Sequence, residues 1–187
     1  MRIIKSEINK IELDFYSQID LMYYPYLKNK NEHYRLLVYL SSLYEDEILF
    51  DVGTAQGHSS LALSQNKTNR VFTYDIVQKF HSDWFKYENL KNITKDINLE
   101  DEEIINSAKF ISLDIDPHDG IQEVRFYELL KRINYKGIVL FDDINLNEGM
   151  KNFWNSVTHD KYDLTDIGHW SGSGLVSFSD EKIEIIE

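Results

Sequence analysis

From Glu47 onward, short apolar runs alternate with amphipathic stretches, and this alternation restricts the fold more than any other feature of the chain. Glu47–Val52, Val71–Tyr74, Phe110–Leu113 and Gly137–Phe141 are too short for helices and nearly continuous in apolar character. That is the pattern of strands buried on both faces of a parallel sheet. A weaker run lies near Asn92–Thr94. Helical stretches separate the runs: Ser59–Gln65, Phe80–Leu90, Asp101–Ala108, Gln122–Ile133 and Gly149–Val157. Strand and helix in alternation imply a parallel sheet covered by helices. The chain then changes habit, with Tyr162–Ile167, a glycine-rich turn and Leu175–Phe178. Two strands that close must be antiparallel, because a parallel pair needs a long crossover. The expected class is therefore α/β: a doubly wound, Rossmann-like sheet, mostly parallel with a reversed last strand and helices on both faces.

No glycine precedes Gly53, so residues 1–46 read as helical. Ile8, Ile11, Phe15, Ile19 and Met22 recur at steps of three and four, which predicts one amphipathic helix, interrupted at Pro25. A second follows, with Tyr34, Leu37, Leu40 and Tyr44 on one face. Tyr23, Tyr24 and Tyr26 either cover a substrate as part of a lid or pack that first helix, whereas Trp84 and Trp154 read as core. No linker or repeat divides the chain, so 1–187 is expected to be one domain, with N-terminal helices (1–46) and an α/β core (47–178).

Composition narrows the chemistry. The chain has no cysteine, which excludes disulfides and thiolate metal sites and suits a reducing compartment. No apolar run resembles a signal peptide or a membrane span, so a cytoplasmic location is expected. A net charge of −12 with scattered lysines opposes binding to a phosphate backbone. Neither nucleic acid nor membrane is expected as a partner. The acidic balance either favours a cationic ligand or simply maintains solubility.

In an open α/β sheet, ligands bind beyond the carboxyl ends of the parallel strands. Asp51-Val-Gly-Thr-Ala-Gln-Gly-His-Ser59 falls at the first of these ends. Gly53 permits a tight turn and Gly57 a close approach of backbone to ligand. A dinucleotide fingerprint would require glycines where the chain has Ala55 and His58, so a nicotinamide cofactor is disfavoured. The loop suits a ligand carboxylate, held by loop amides and Ser59. Asp75, ending the next strand, can accept both hydroxyls of a ribose. The bland alternative is a glycine turn with Asp75 as a helix cap.

These residues resemble motif I and the ribose-binding acid of the class I S-adenosylmethionine-dependent methyltransferases. The resemblance runs from about Glu32 to Phe178 and includes the reversed last strand. It implies S-adenosylmethionine as cofactor, with Asp51, Gly53, Thr54, Ala55, Gly57, Ser59, Asp75 and Asp114 around it and Asp96 as an adenine contact.

Two further strand ends are acidic: Leu113-Asp-Ile-Asp-Pro-His-Asp-Gly120 and Phe141-Asp-Asp-Ile-Asn145. Carboxylates converging there would repel one another unless protonated or bridged by a cation, and oxygen-rich clusters suit Mg²⁺, Ca²⁺ or Mn²⁺. The arrangement resembles the metal-dependent catechol-type O-methyltransferases and the macrolide-sugar O-methyltransferases. That resemblance implies a divalent ion such as Mg²⁺ or Mn²⁺ on Asp114, Asp142 and Asp143, with Asp143 in place of an asparagine. It departs from the pattern at Pro117, inserted before His118, and in lacking the catechol enzymes' lysine base. His118 is the replacement base, its ordinary pKa lying near neutrality, and His169 the second candidate. Asp142 and Asp143 could instead cap the next helix, and His118 could be structural. Gly168-His-Trp-Ser-Gly-Ser-Gly174 lies on the same edge. There Trp170 either stacks on an acceptor or packs beneath the loop, and Asp116 is the other acceptor contact.

The function these readings imply is methyl transfer from S-adenosylmethionine to a small-molecule acceptor at oxygen, with metal assistance. The competing reading is a non-catalytic S-adenosylmethionine-binding module that regulates or scaffolds a partner. Hydrolysis or lysis of the cofactor is a third. Acceptor identity and oligomeric state are open at this level.

Overall fold

The computed structural model describes residues 1–18, 32–77 and 87–187. Seven strands form the main sheet: β2 (Ile48–Val52), β3 (Arg70–Asp75), β4 (Leu90–Thr94), β5 (Ala108–Leu113), β6 (Ile138–Asp142), β7 (Asp160–Asp163) and β8 (Ser173–Ser177). Their spatial order is β4-β3-β2-β5-β6-β8-β7. Strands β2 to β6 pair in parallel, and β8 runs antiparallel to both neighbours. The expected class and the reversed strand are both present.

The helices between them are α2 (Tyr34–Ser42), α3 (His58–Leu63), α4 (Glu102–Ser107), α5 (Ile121–Arg132) and α6 (Glu148–Ser156). The apolar character of the central strands has a direct cause in this layering. In β6, Ile138 and Leu140 face the core that holds α2 and α3, whereas Val139 and Phe141 face the core of α5 and α6. Each large side chain so buried stabilises the fold by roughly 1.5–3 kcal/mol.

The N-terminal segment departs from the helical reading. Arg2–Ile4 forms β1, α1 covers only Lys5–Ile8, and Asp14–Gln18 is a 3₁₀ turn. The buried side chains here are Ile8, Leu13 and Tyr16, with Ile11 and Phe15 only partly covered, so the predicted helical stripe is not the face that packs. β1 pairs in parallel with β9 (Glu184–Ile186), and Ile3 and Ile8 become fully buried. That pairing extends past residue 178, where the sequence reading ended the core. Ile19, Met22, Tyr23, Tyr24, Pro25, Tyr26 and Trp84 lie outside the described residues. So does most of the expected helix Phe80–Leu90, and Leu90 itself already begins β4. Trp154 packs, half-buried, against the α6 core. Among the described residues no helix is long and apolar enough to cross a membrane.

Topology places the chemistry. β2, β3, β5 and β6 all point the same way, so Asp51, Asp75, Asp114 and Asp142 come to one edge of the sheet. At that edge Asp142 is in register with Ser173 of β8, which brings the β7–β8 loop alongside.

Candidate active site

The first part of the site is a cleft of about 520 Å³, within the range of small-molecule pockets. Gly53, Ala55, Asp75, Asp96, Asp114, Asp116 and His118 line it. Asp75 is its most organised acid. Its Oδ2 accepts from the Ala55 amide at 2.8 Å and its Oδ1 from the Val77 amide at 3.0 Å. An ionised carboxylate has about four acceptor positions, so each oxygen keeps one for a ligand hydroxyl. Asp96 caps the 3₁₀ turn Ile97–Leu99, accepting from the Asn98 amide and side chain, both at 2.9 Å.

Asp51, Thr54 and Ser59 occupy a different layer. All three are buried beneath the loop, and none lines the cleft. The Thr73 hydroxyl donates to Asp51 at 2.7 Å and also bonds Thr54, and the Ser59 hydroxyl bonds Asp51 too. Gly57 starts α3 in a left-handed conformation at φ +91°. Asp51, Thr54 and Ser59 thus support the loop from below.

Burial pushes the Asp51 carboxyl up from an ordinary value of 3.8 to about 6, partly offset by its two hydroxyl partners. A raised folded-state pKa contributes stability below the unfolded value and loses it as pH rises through the folded one. Asp51→Asn should therefore match wild-type stability near pH 4 and exceed it by roughly 1–3 kcal/mol at pH 8. Thermal melts at the two pH values test this; equal melting at pH 8 would show that Asp51 ionises at no cost.

The second part of the site is the acidic cluster, and it divides in two. Asp142 Oδ1 lies 3.2 Å from His33 Nδ1, and Asp142 Oδ2 lies 3.1 Å from His169 Nδ1. Asp143, its backbone left-handed at φ +61°, spans the two halves: its Oδ2 lies 3.3 Å from His118 Nδ1 and its Oδ1 3.1 Å from His169 Nδ1. Ser171 donates to Oδ1 of Asp143. His118 also lies 3.8 Å from Asp114 and 3.3 Å from Asp116. Thus Asp114, His118 and Asp143 form one group, and His33, Asp142 and His169 another. The three aspartates proposed from sequence as one ligand set are shared between them.

Several alternatives resolve at this point. Neither Asp142 nor Asp143 caps α6: Asn147 does, accepting from the Met150 amide at 3.1 Å. Trp170 is 60% exposed, with its ring edge-on to His169 at 5.5 Å, so it does not pack beneath the loop. Ala55, His118 and Asp143 are three of the five described non-glycine residues with positive φ. Each such conformation costs about 1–3 kcal/mol and persists where surrounding structure over-determines it.

Charge at the cluster follows from geometry. Burial opposes a charge on His33, but the adjacent Asp142 carboxylate raises the imidazole to about 9. His169 is likewise lowered by burial and raised to about 10 by Asp142 and Asp143. Burial would raise Asp142, yet the two imidazoles hold it well below the ordinary carboxylate range. Asp114 responds oppositely, pushed up to about 7 by burial and then by the Asp142 charge.

Many solved structures share this fold. A putative caffeoyl-CoA O-methyltransferase from Staphylococcus aureus superposes with a TM-score of 0.58 at 16% identity, covering 77% of this chain and 82% of that one. The fold is that of the class I methyltransferases. An O-methyltransferase from Bacillus cereus, in complex with S-adenosylhomocysteine, covers 91% of this chain and 92% of its own (TM-score 0.57, 13% identity). An RNA methyltransferase from Salinibacter ruber, also in complex with S-adenosylhomocysteine, covers 80% and 92% (TM-score 0.52, 14% identity). No family model and no curated protein matches the sequence. The methyltransferase fold thus rests on architecture, and one architecture serves different acceptors.

Sequence reasoning missed His33, Tyr74, Ile76 and Val77 at this edge of the sheet. Ile76 and Val77 had a signal: two apolar residues directly after a strand-ending acid, 72% and 51% exposed. His33 had none, because a lone histidine at a helix start has no local pattern.

Proposed function

We propose that this chain is an S-adenosylmethionine-dependent methyltransferase acting on the oxygen of a small-molecule acceptor. The observation that carries the reading is Asp75, a strand-end carboxylate that faces the cleft with one free acceptor position on each oxygen. Those positions suit the two hydroxyls of a ribose. Ile76 and Val77 offer apolar surface to an adenine, with Asp96 at its edge. At the other end of the cleft, Asp114 provides negative charge toward a cationic sulfonium, which would favour its ionised form. When bound, the cofactor supplies an already activated methyl group, so the protein's task is alignment and removal of the acceptor proton.

His118 is the proposed proton acceptor. It lies in the cleft wall, 22% exposed, with Asp143 and Asp116 each 3.3 Å from its ring nitrogens. Trp170 offers an exposed face against which a planar acceptor can stack. His169 stands between these groups and Asp142, its charge already committed to carboxylates, and is the weaker base. A hard cation held by Asp114, Asp142 and Asp143 fits the donors poorly. It would require Asp142 to leave two imidazoles, and Mg²⁺ favours oxygen ligands alone. The net charge of −12 favours a small acceptor over a nucleic acid.

Calorimetry with S-adenosylhomocysteine tests the cofactor half of this reading. Binding should be seen with the wild type and fall about tenfold or more in Asp75→Ala, because hydrogen bonds to a charged acceptor contribute roughly 1.5–3 kcal/mol each. Equal affinity in a folded Asp75→Ala protein would remove Asp75 from the site. No binding to the wild type would remove the proposed function.

A further inference from the structure

We propose that His33, Asp142 and His169 form a binding site for a borderline transition-metal ion, with Zn²⁺ or Co²⁺ as the type. The three residues come from separate elements: the residue before α2, the end of β6 and the β7–β8 loop. Their ligand atoms all lie within 4.8 Å of one another. In tetrahedral zinc coordination with bonds near 2.0–2.1 Å, ligand atoms stand roughly 3.3 Å apart. The Asp142 oxygens lie 3.2 and 3.1 Å from His33 and His169, so the three side chains, whose ligand atoms are at most 4.8 Å apart, must draw together by no more than about 1.5 Å to close round an ion.

A second, independent observation points to a missing partner. His33 is 3% exposed, yet neither of its ring nitrogens has a hydrogen-bond partner. Its Nδ1 approaches Asp142 without hydrogen-bond geometry. Buried polar groups are nearly always satisfied, by protein, water or an ion. The His33 and His169 rings stand edge to face at 5.6 Å, and Nδ1 of each meets a different oxygen of Asp142. Ser173 donates to Asp142, and a Glu32 carboxylate oxygen lies 3.5 Å from Nε2, the other ring nitrogen of His169, the outer support metal ligands usually have; Ser171, now on His169 Nδ1, would yield that nitrogen to the ion.

Donor chemistry selects the ion. Two imidazole nitrogens and one carboxylate suit Zn²⁺, Co²⁺, Ni²⁺ or Fe²⁺ and are poor for Mg²⁺ and Ca²⁺. Three protein ligands leave a position open, as in catalytic rather than structural sites. The partly exposed His169 and the exposed Trp170 place that opening on the acceptor side.

The test uses untagged full-length protein, dialysed free of metal and then given Zn²⁺ or Mg²⁺ alone. The wild type should take up one equivalent of Zn²⁺ and melt higher with it, and should not respond to Mg²⁺. His33→Gln and His169→Gln should each weaken zinc at least tenfold, whereas Asp114→Asn and His118→Asn should keep it. X-ray absorption of the zinc-loaded wild type should count two imidazoles, a measurement that stands even if His33→Gln fails to fold. One imidazole would place the ion on Asp114, His118 and Asp143 and overturn the proposal. Absence of zinc binding, or equal stabilisation by Mg²⁺, would overturn it too. The metal site does not depend on methyl transfer: zinc uptake without S-adenosylhomocysteine binding would sink the proposed function and leave this one standing.

Discussion

Gly53→Ala should cost roughly 3–5 kcal/mol of stability and abolish S-adenosylhomocysteine binding along with it. A Cβ at this position would lie 1.6 Å from the Asp114 carbonyl oxygen and 2.5 Å from its carbon. Both are backbone atoms, held by the Asp114 amide donating to Val52 at 2.8 Å. No side-chain rotation relieves such a clash, so β2 and β5 must part at the end where the cleft begins. The φ of +95° adds strain that any L side chain would feel. In a chain of this size each kcal/mol shifts the midpoint by about 2–4 °C, so melting should fall by roughly 10–15 °C. A Gly53→Ala protein that melts within two or three degrees of wild type would show that the strand ends separate freely. One that melts normally but binds no S-adenosylhomocysteine would confine the glycine's role to the ligand.

The second large effect is expected at His118. Removing a positioned general base typically slows turnover by about 10²- to 10⁴-fold. The choice of substitution matters because His118 has φ +55°. Asparagine tolerates the left-handed region better than alanine, so His118→Asn removes the base with least disturbance to the loop. That loop is also held by Asn147, whose side-chain amide donates to the His118 carbonyl at 2.6 Å. S-adenosylhomocysteine affinity should change little, since ribose and adenine contacts lie at the Asp75 end of the cleft. Single-turnover rates with an accepted substrate, alongside calorimetry, separate the outcomes. Full turnover in His118→Asn with loss in His169→Asn would exchange the two assignments. Full turnover in both would pass the proton to an aspartate such as Asp116 and end this mechanism.

How much of this was legible in the chain depends on how local each signal is. The run Ile138–Phe141 announces a doubly covered strand because both of its faces must be apolar, a property of four consecutive residues. Likewise Asp51, Asp75, Asp114 and Asp142 could be placed on one edge in advance, since parallel strands must end together. The helix expected across Ile8–Met22 shows where such logic stops. Over the described part the helix ends at Ile8, residues 11–13 have no regular structure and Asp14–Gln18 is a 3₁₀ turn, while Arg2–Ile4 found a partner at Glu184–Ile186. No window of neighbouring residues contains that pairing.

The sequence by itself determined the sheet, the direction of its strands and the acids at their ends, because alternation and burial are written in adjacent residues. Only the tertiary structure decided how those acids are used. The left-handed backbone at Asp143 lets that carboxylate reach His118 as well as the His169 it shares with Asp142, and the packing of α2 against the sheet delivers His33 to Asp142 from more than a hundred positions away. Side-chain direction and long-range convergence depend on how complete elements pack, and a linear pattern carries no record of that.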